Sequence, residues 1–198
     1  MNTRLVCGKP SWPEYQQTPK YGKEISVKRV LFAVLIAAAC SGFPAFAQEP
    51  VIAASNAEEL FTSPDPKLHA NKQVAYHIIR DLLEAGHWDM ADQFLSEEYV
   101  QHNPNAASGR EAVVKYFTEV LKVEPKPIPE KLGMPITSVT AEGDLVVVTY
   151  PREVKDQKHP NGGYSTTWFD MWRIVDGKAV EHWDPALVGE SPDLQPGE

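Results

Sequence analysis

Asp170, His182 and Asp184 are the residues of this chain whose types and spacing best suit proton transfer. All three fall in residues 164–185, YSTTWFDMWRIVDGKAVEHWDP. His182 and Asp184 are two positions apart, which puts both on one face of a strand. A carboxylate walled by Trp168, Trp172 and Trp183 would be partly stripped of water and so a usable base near neutral pH. A histidine on that face can shuttle the proton or donate a hydrogen bond to an enolate oxygen. Asp184 working with His102 or His182 could in this way abstract a proton next to a carbonyl.

Whether Asp170 joins the group depends on a hairpin. Two runs of β-branched and aromatic residues flank Asp176-Gly177, the mark of a β-hairpin. A two-residue loop pairs Val175 with Lys178 and puts the two aspartates on opposite faces. A three-residue loop, with Gly177 in the left-handed bulge position, pairs Ile174 with Lys178. Asp170 then faces His182, Trp168 faces Asp184 and Trp172 faces Val180, all on one side, because a one-residue slip exchanges the faces. The three-residue loop is the expected one, since glycine supplies the positive φ and valine does not. It also leaves Arg173 diagonal to Glu181 on the other face, in reach of an ion pair.

Other chemistries have little support. No HExxH and no histidine triplet is present, so no metal site is expected. G-x-S-x-G, the phosphate loop and the dinucleotide fingerprint are also missing. From Gln48 onward there are 13 Lys and Arg against 25 Asp and Glu, a formal charge of −12. Without a basic stripe, nucleic acid is not an expected partner. The cysteines, Cys7 and Cys40, both precede Gln48.

The start of the chain reads as a targeting segment. Lys28-Arg29, the apolar run 30–39 (VLFAVLIAAA) and Ala45-Phe46-Ala47 form a basic region, a short hydrophobic core and an A-x-A cleavage site, as in a secretory signal peptide. The apolar run is too short to span a bilayer comfortably. The signal peptide is expected at 27–47, with Val27 as the true start and residues 1–26 an over-long reading of the gene. Lipidation at Cys40 is the competing route, and it would anchor the protein to a membrane. Either route places the protein in the periplasm or outside the cell.

Residues 48–64 read as a flexible lead-in, 65–188 as the folded domain and 189–198 as a flexible tail. The first helix is expected over 66–85, with Ser63 or Asp65 capping, Pro66 in the first turn and Gly86 after the last. A short helix is expected over 89–95. Residues 98–105 read as extended, with Tyr99, Gln101 and Asn103 alternating with Val100 and His102 before Asn-Pro turns the chain. Helix 109–123 is expected to start with a Ser108–Glu111 capping box. Strands follow over 136–141, 145–150, 166–175 and 178–184. Helices first and a sheet afterwards make an α+β fold with the helices on one sheet face.

The phrases Tyr99-Val100-Gln101-His102-Asn103-Pro104, Gly109-Arg110-Glu111-Ala112, Glu142-Gly143-Asp144-Leu145-Val146, Phe169-Asp170-Met171-Trp172-Arg173 and 176–184 (DGKAVEHWD) resemble the SnoaL-like group of the nuclear transport factor 2-like superfamily. The resemblance spans about 66–188. It implies an α+β cone, in which a curved mixed sheet packs against three N-terminal helices and a pocket opens at one end. Polyketide cyclases of this group close a ring by intramolecular aldol condensation with an acid/base aspartate and no cofactor. The aspartate of the terminal strand best matches Asp184, and His102 and Asp170 match polar pocket positions. His182 completes the catalytic set, and Trp168, Trp172, Tyr99 and Tyr150 are the expected substrate-binding residues.

Three functions are compatible with these residues. One is a cofactor-free acid–base enzyme (cyclase, isomerase or hydrolase) on a small carbonyl compound. The second is an exported module that binds a small apolar ligand. The third is a dimerisation domain pairing through its outer sheet face, with Phe169, Met171 and Trp183 buried there. The signal-peptide reading has a direct check: the intact mass of the exported protein should correspond to a chain beginning at Gln48, and a chain retaining Met1 or beginning at a lipidated Cys40 would contradict it.

Overall fold

The structure is a computed structural model that describes residues 49–159 and 162–190. The signal peptide, Cys40 and most of the tail lie outside these residues. No helix among the described residues is long and apolar enough to cross a membrane.

The elements follow in order. Helix α1 is Ala57–Leu60, and α2 is Pro66–His77, continuing as a wider π-type turn over Ile78–Glu84. A 3-10 turn at Trp88–Met90 leads into α3, Ala91–Phe94, and then strand β1, Leu95–Gln101. Helix α4 is Arg110–Lys115, again widening over Tyr116–Val120. Strands β2 (Ser138–Glu142), β3 (Leu145–Lys155), β4 (Gly163–Val175) and β5 (Lys178–Trp183) complete the fold. The five strands form one sheet in the order β1-β5-β4-β3-β2. β1 runs parallel to β5 and the other pairs are antiparallel, so the sheet is mixed. This is the expected α+β fold, a curved sheet with the helices on its inner face.

Local chemistry sets α2. Asp65 Oδ1 accepts from Leu68 N at 2.9 Å and Pro66 occupies the first turn, where its missing N–H costs nothing. The end widens to five-residue bonding, with Ala85 N donating to Arg80 O at 3.0 Å. Gly86 then turns the chain at φ +76°, and a Cβ there would sit 2.9 Å from Glu124 O and from Val123 Cγ1. Only glycine meets both demands. Helix α4 starts differently from expectation, and no capping box forms. Gly109 holds the cap position at φ 96° without a side-chain bond. Ser108 Oγ instead accepts from Gln101 N at 3.0 Å, satisfying the end of β1.

The hairpin loop also corrects the expectation. It has two residues, with Val175 paired to Lys178, and Asp176 (φ 49°) and Gly177 (φ 76°) both left-handed. Aspartate tolerates that conformation, so the type I′ turn stands and matches the strand twist. Ile174 pairs with Ala179, but Arg173 pairs with Glu181, so Val180 is an extra residue bulged out of β5. Beyond the bulge Trp172 faces His182 and Met171 faces Trp183. The bulge supplies the residue the short loop lacks, and Asp170, His182 and Asp184 share the inner face after all. Val180 leaves that face and Ala179, fully buried, takes its place.

The segment read as a flexible lead-in is packed. Ala54 N donates to Ile136 O at 2.7 Å, Val51 N donates to Ser165 Oγ at 2.8 Å, and Phe61 is 0% exposed against Tyr76. One aromatic side chain and isolated backbone bonds do this, too little for a periodic signal. Phe61→Ala should destabilise the protein by about 3–5 kcal/mol in denaturant unfolding, whereas a mobile lead-in would lose almost nothing.

Candidate functional site

A cavity of about 370 Å³ lies between the helices and the inner sheet face, and Asp170, His182 and Asp184 line it. Strand pairing sets the order along the wall. Trp172 lies opposite Val146, Asp170 opposite Val148, Trp168 opposite Tyr150 and Thr166 opposite Arg152. Val146, Val148, Tyr150 and Trp172 belong to the buried core, so Asp170 is set among apolar rungs.

His182 is the hub. Its Nδ1 lies 2.7 Å from Gln101 Oε1 and its Nε2 lies 3.1 Å from Asp170 Oδ1. β1 and β5 are parallel with Gln101 level with His182, which brings the amide to the ring. Gln101 Oε1 also accepts from Asn103 N at 3.0 Å. That backbone donor fixes the amide orientation, because an –NH2 group there would face another N–H. Nδ1 must therefore carry a hydrogen and donate it to Gln101. The proton exchanged with Asp170 is then the one on the Nε2 side.

Asp184 is held from two directions. Asn103 Nδ2 donates to its Oδ2 at 2.7 Å and Ala186 N donates to its Oδ1 at 2.9 Å. Asn103 Oδ1 in turn accepts from Asn105 N at 2.8 Å, which fixes that amide as well. Asp184 Oδ2 sits 4.0 Å from His182 Nδ1, so the two carboxylates flank the imidazole. Asp170 is the more open of the two, its side chain 14% exposed against 6% for Asp184.

The aromatic groups divide by face. Trp172 stacks on His182 at 5.3 Å and donates from Nε1 to Tyr99 Oη at 3.2 Å. Trp168, Tyr99 and Tyr150 line the same cavity. Burial, and then the charge of Asp170, push the Tyr150 phenol well above the usual tyrosine value. Its hydroxyl lies near that carboxylate but closes no hydrogen bond of ordinary geometry, and Nε1 of Trp88, another lining residue, likewise has no partner among the described residues. Two donors carried by cavity-lining residues are thus buried without a hydrogen bond among the described residues. Burial also raises the Tyr99 phenol, although the bond from Trp172 opposes it.

His102 does not join the site. Alternation from Tyr99 sends Gln101 and Asn103 inward and His102 outward, where Nε2 lies 2.9 Å from Glu181 and the ring stacks on Trp183 at 5.0 Å. Its side chain is 43% exposed. Trp183 lies on the same outer face, so it does not wall the carboxylates. Arg173 binds Glu181 there at 3.0 Å and Asp144 at 2.8 Å. Gln101 and Asn103 are pocket residues that the sequence reading passed over, though the alternation with Tyr99 marked them.

Asp170, His182 and Asp184 are also the described residues that could hold a metal, with ligand-type atoms within 4.8 Å of one another. Their closest contacts use opposite ring nitrogens, and Nδ1 is committed to Gln101. A common ion would have to break that bond or displace the donors on Asp184.

The family model described as SnoaL-like domain matches residues 77–182. The chain belongs to the SnoaL-like domain family. Solved structures similar to this SnoaL-like chain include three bacterial proteins. One is a candidate polyketide cyclase from Acidithiobacillus ferrooxidans, at 15% identity over 62% of this chain and 89% of that one, with a TM-score of 0.43. Another is a candidate SnoaL-like polyketide cyclase from Jannaschia sp. CCS1, at 18% identity over 63% and 91%, with a TM-score of 0.40. The third is a protein of unknown function with a cystatin-like fold from Xanthomonas campestris, at 20% identity over 58% and 88%, with a TM-score of 0.41. No curated protein matches the sequence.

The raised tyrosines give a sign for alkaline stability. Unfolded tyrosines ionise near 10.0, while Tyr99 and Tyr150 keep their protons in the native state. The unfolded chain therefore binds fewer protons at higher pH, and stability falls as pH rises through this region. Tyr150→Phe should change stability at neutral pH by less than about 1 kcal/mol, since the hydroxyl closes no hydrogen bond of ordinary geometry. It should also lose less stability than the parent on moving above the tyrosine range. Equal alkaline losses in denaturant melts would contradict this placement of Tyr150.

Proposed function

We propose that the protein is an exported, cofactor-independent acid–base enzyme acting on a small carbonyl compound, of the aldol cyclase, isomerase or hydrolase type. The observation that carries this reading is the Gln101-fixed imidazole facing Asp170 inside an aromatic pocket. A fixed His182 Nδ1–H leaves Nε2 as the ring atom that exchanges a proton with Asp170, and the pair acts as a base from the form in which Nε2 is bare and Asp170 is ionised, with room for one proton. In the proposed step Asp170 takes a proton from the carbon next to a substrate carbonyl, and the C–H electrons move into the enolate. Tyr150, a buried phenol of the cavity lining beside Asp170, is assigned to donate to the developing enolate oxygen. His182 holds the proton through Nε2 and returns it when the new bond forms. The Gln101 carbonyl behind Nδ1 cannot take up a proton, so the relay ends there. A pair that stores and returns one proton suits isomerisation and aldol closure, which consume none overall.

Asp184 was the expected principal base. Both its oxygens already accept hydrogen bonds, and it is assigned here to hold Asn103 and to set charge beside the ring. A ring stacked on Trp172 and largely removed from water keeps these interactions unscreened.

The test is turnover against cyclisable diketones, β-dicarbonyl compounds and lactones. With an accepted substrate, Asp170→Asn should lower kcat by about 10²–10⁴-fold, the range of general acid–base catalysis. His102→Ala should leave kcat within about twofold, as a surface residue away from the chemistry does. Ligand-induced stabilisation without turnover, unchanged in Asp170→Asn, would favour a binding module instead.

A further inference from the structure

The inner-face ladder continues beyond the proton-transfer groups to Arg152, the rung after Tyr150 and opposite Thr166. Arg152 lines the cavity, and its guanidinium carbon lies 4.5 Å from the centre of the Trp168 ring. Such stacking orients the planar fork while leaving its edge free for a carboxylate. In the free protein that edge is occupied from within the chain: Arg152 Nη2 donates to Glu190 Oε1 at 2.8 Å.

Glu190 is delivered by the segment that follows β5. Asn105 Nδ2 donates to Leu187 O and to Glu190 O, both at 2.9 Å, and Asn105 Oδ1 accepts from Gly189 N at 2.7 Å. Leu187 N donates to the second Glu190 oxygen at 2.8 Å. A carboxylate thus already sits on a cation in the cavity wall. Both side chains are 31% exposed, and a pair so open to water contributes little to stability. A ligand carboxylate can replace it at small cost. The chain is acidic overall, with a formal charge of −8, so a guanidinium in the wall is a specific feature of the pocket.

We propose that Arg152 is the binding group for a ligand carboxylate, and that Glu190 occupies it as a resident stand-in until the ligand arrives. The proposal rests on the acid–base reading of the same pocket and narrows its substrate class to oxo acids. The ladder gives their length. Trp168, over which the guanidinium folds, is one rung from Asp170 on the same face, about 7 Å along a strand. The carbonyl and the carboxylate must therefore be several bonds apart, as in a 6-oxo acid, whereas a 2-oxo acid is too short to reach both groups.

The test is calorimetric titration of the purified protein with 6-oxoheptanoate, with its neutral analogue 6-oxoheptanamide, and with pyruvate as the short acid. The acid should bind about tenfold or more tightly than the amide, the scale of one charge-assisted pair. Arg152→Gln should abolish that preference, and Arg152→Lys, which keeps the charge, should retain part of it and so separates lost charge from lost folding. Glu190→Gln should tighten the acid and leave the amide unchanged. Equal binding of acid and amide, binding of neither, a preference for pyruvate, or a preference that survives Arg152→Gln would overturn the proposal. Binding and turnover fail separately: an acid preference without proton exchange sinks the acid–base reading alone, and Asp170-dependent turnover without an acid preference sinks the Arg152 assignment alone.

Discussion

The bulge at Val180 is the constraint on which the site depends. A two-residue turn at Asp176-Gly177 sets a register that, continued without interruption, would point Asp170 and Asp184 to opposite faces. The extra residue in β5 restores the shared face just before His182. Bulges recur where a strand must re-aim a side chain. Here the switch divides core from site. On the turn side, Ala179 and Ile174 fill the core, and on the far side His182, opposite the buried Trp172, brings the first polar group to that face.

Once the face is set, a chain of hydrogen bonds fixes its orientation. The backbone N–H groups of Asn103 and Asn105 hold the amide oxygens of Gln101 and Asn103. Those two amides then face His182 and Asp184 with a donor or acceptor that cannot reverse. The Asn-Pro turn after β1 therefore acts at a distance, because it presents both N–H groups to the side chains. Asp170 is left as the carboxylate of the group that faces the cavity with His182 as its hydrogen-bond partner. Asn105 reaches further, tying down the segment that brings Glu190 to Arg152. The reacting groups and the cavity wall thus share one polar support.

Much of this could be read in the sequence where the signal was local. Asp65, Pro66 and Gly86 bounded the first helix because each acts through its own backbone. The gathering of Asp170, His182 and Asp184 was anticipated by way of the wrong loop. Two errors of one residue each, in the loop and at Val180, left the faces unchanged. The bulge itself carried no sign, since neither Val180 nor Glu181 is a glycine. His102 was misplaced because its titratable type outweighed the alternation that starts at Tyr99. Phe61, Arg152 and Glu190 gave nothing to read, because each acts through a partner far along the chain.

The central claim is that Gln101 fixes His182 with its hydrogen on Nδ1 and leaves Nε2 to exchange a proton with Asp170. Long-range proton–nitrogen NMR of histidine-labelled protein, with His182 assigned by substitution, reads the two ring nitrogens directly. The account predicts that the neutral ring carries its hydrogen on Nδ1 and leaves Nε2 bare, and that Gln101→Leu releases this preference. A neutral His182 ring protonated on Nε2, with Nδ1 bare, would contradict it.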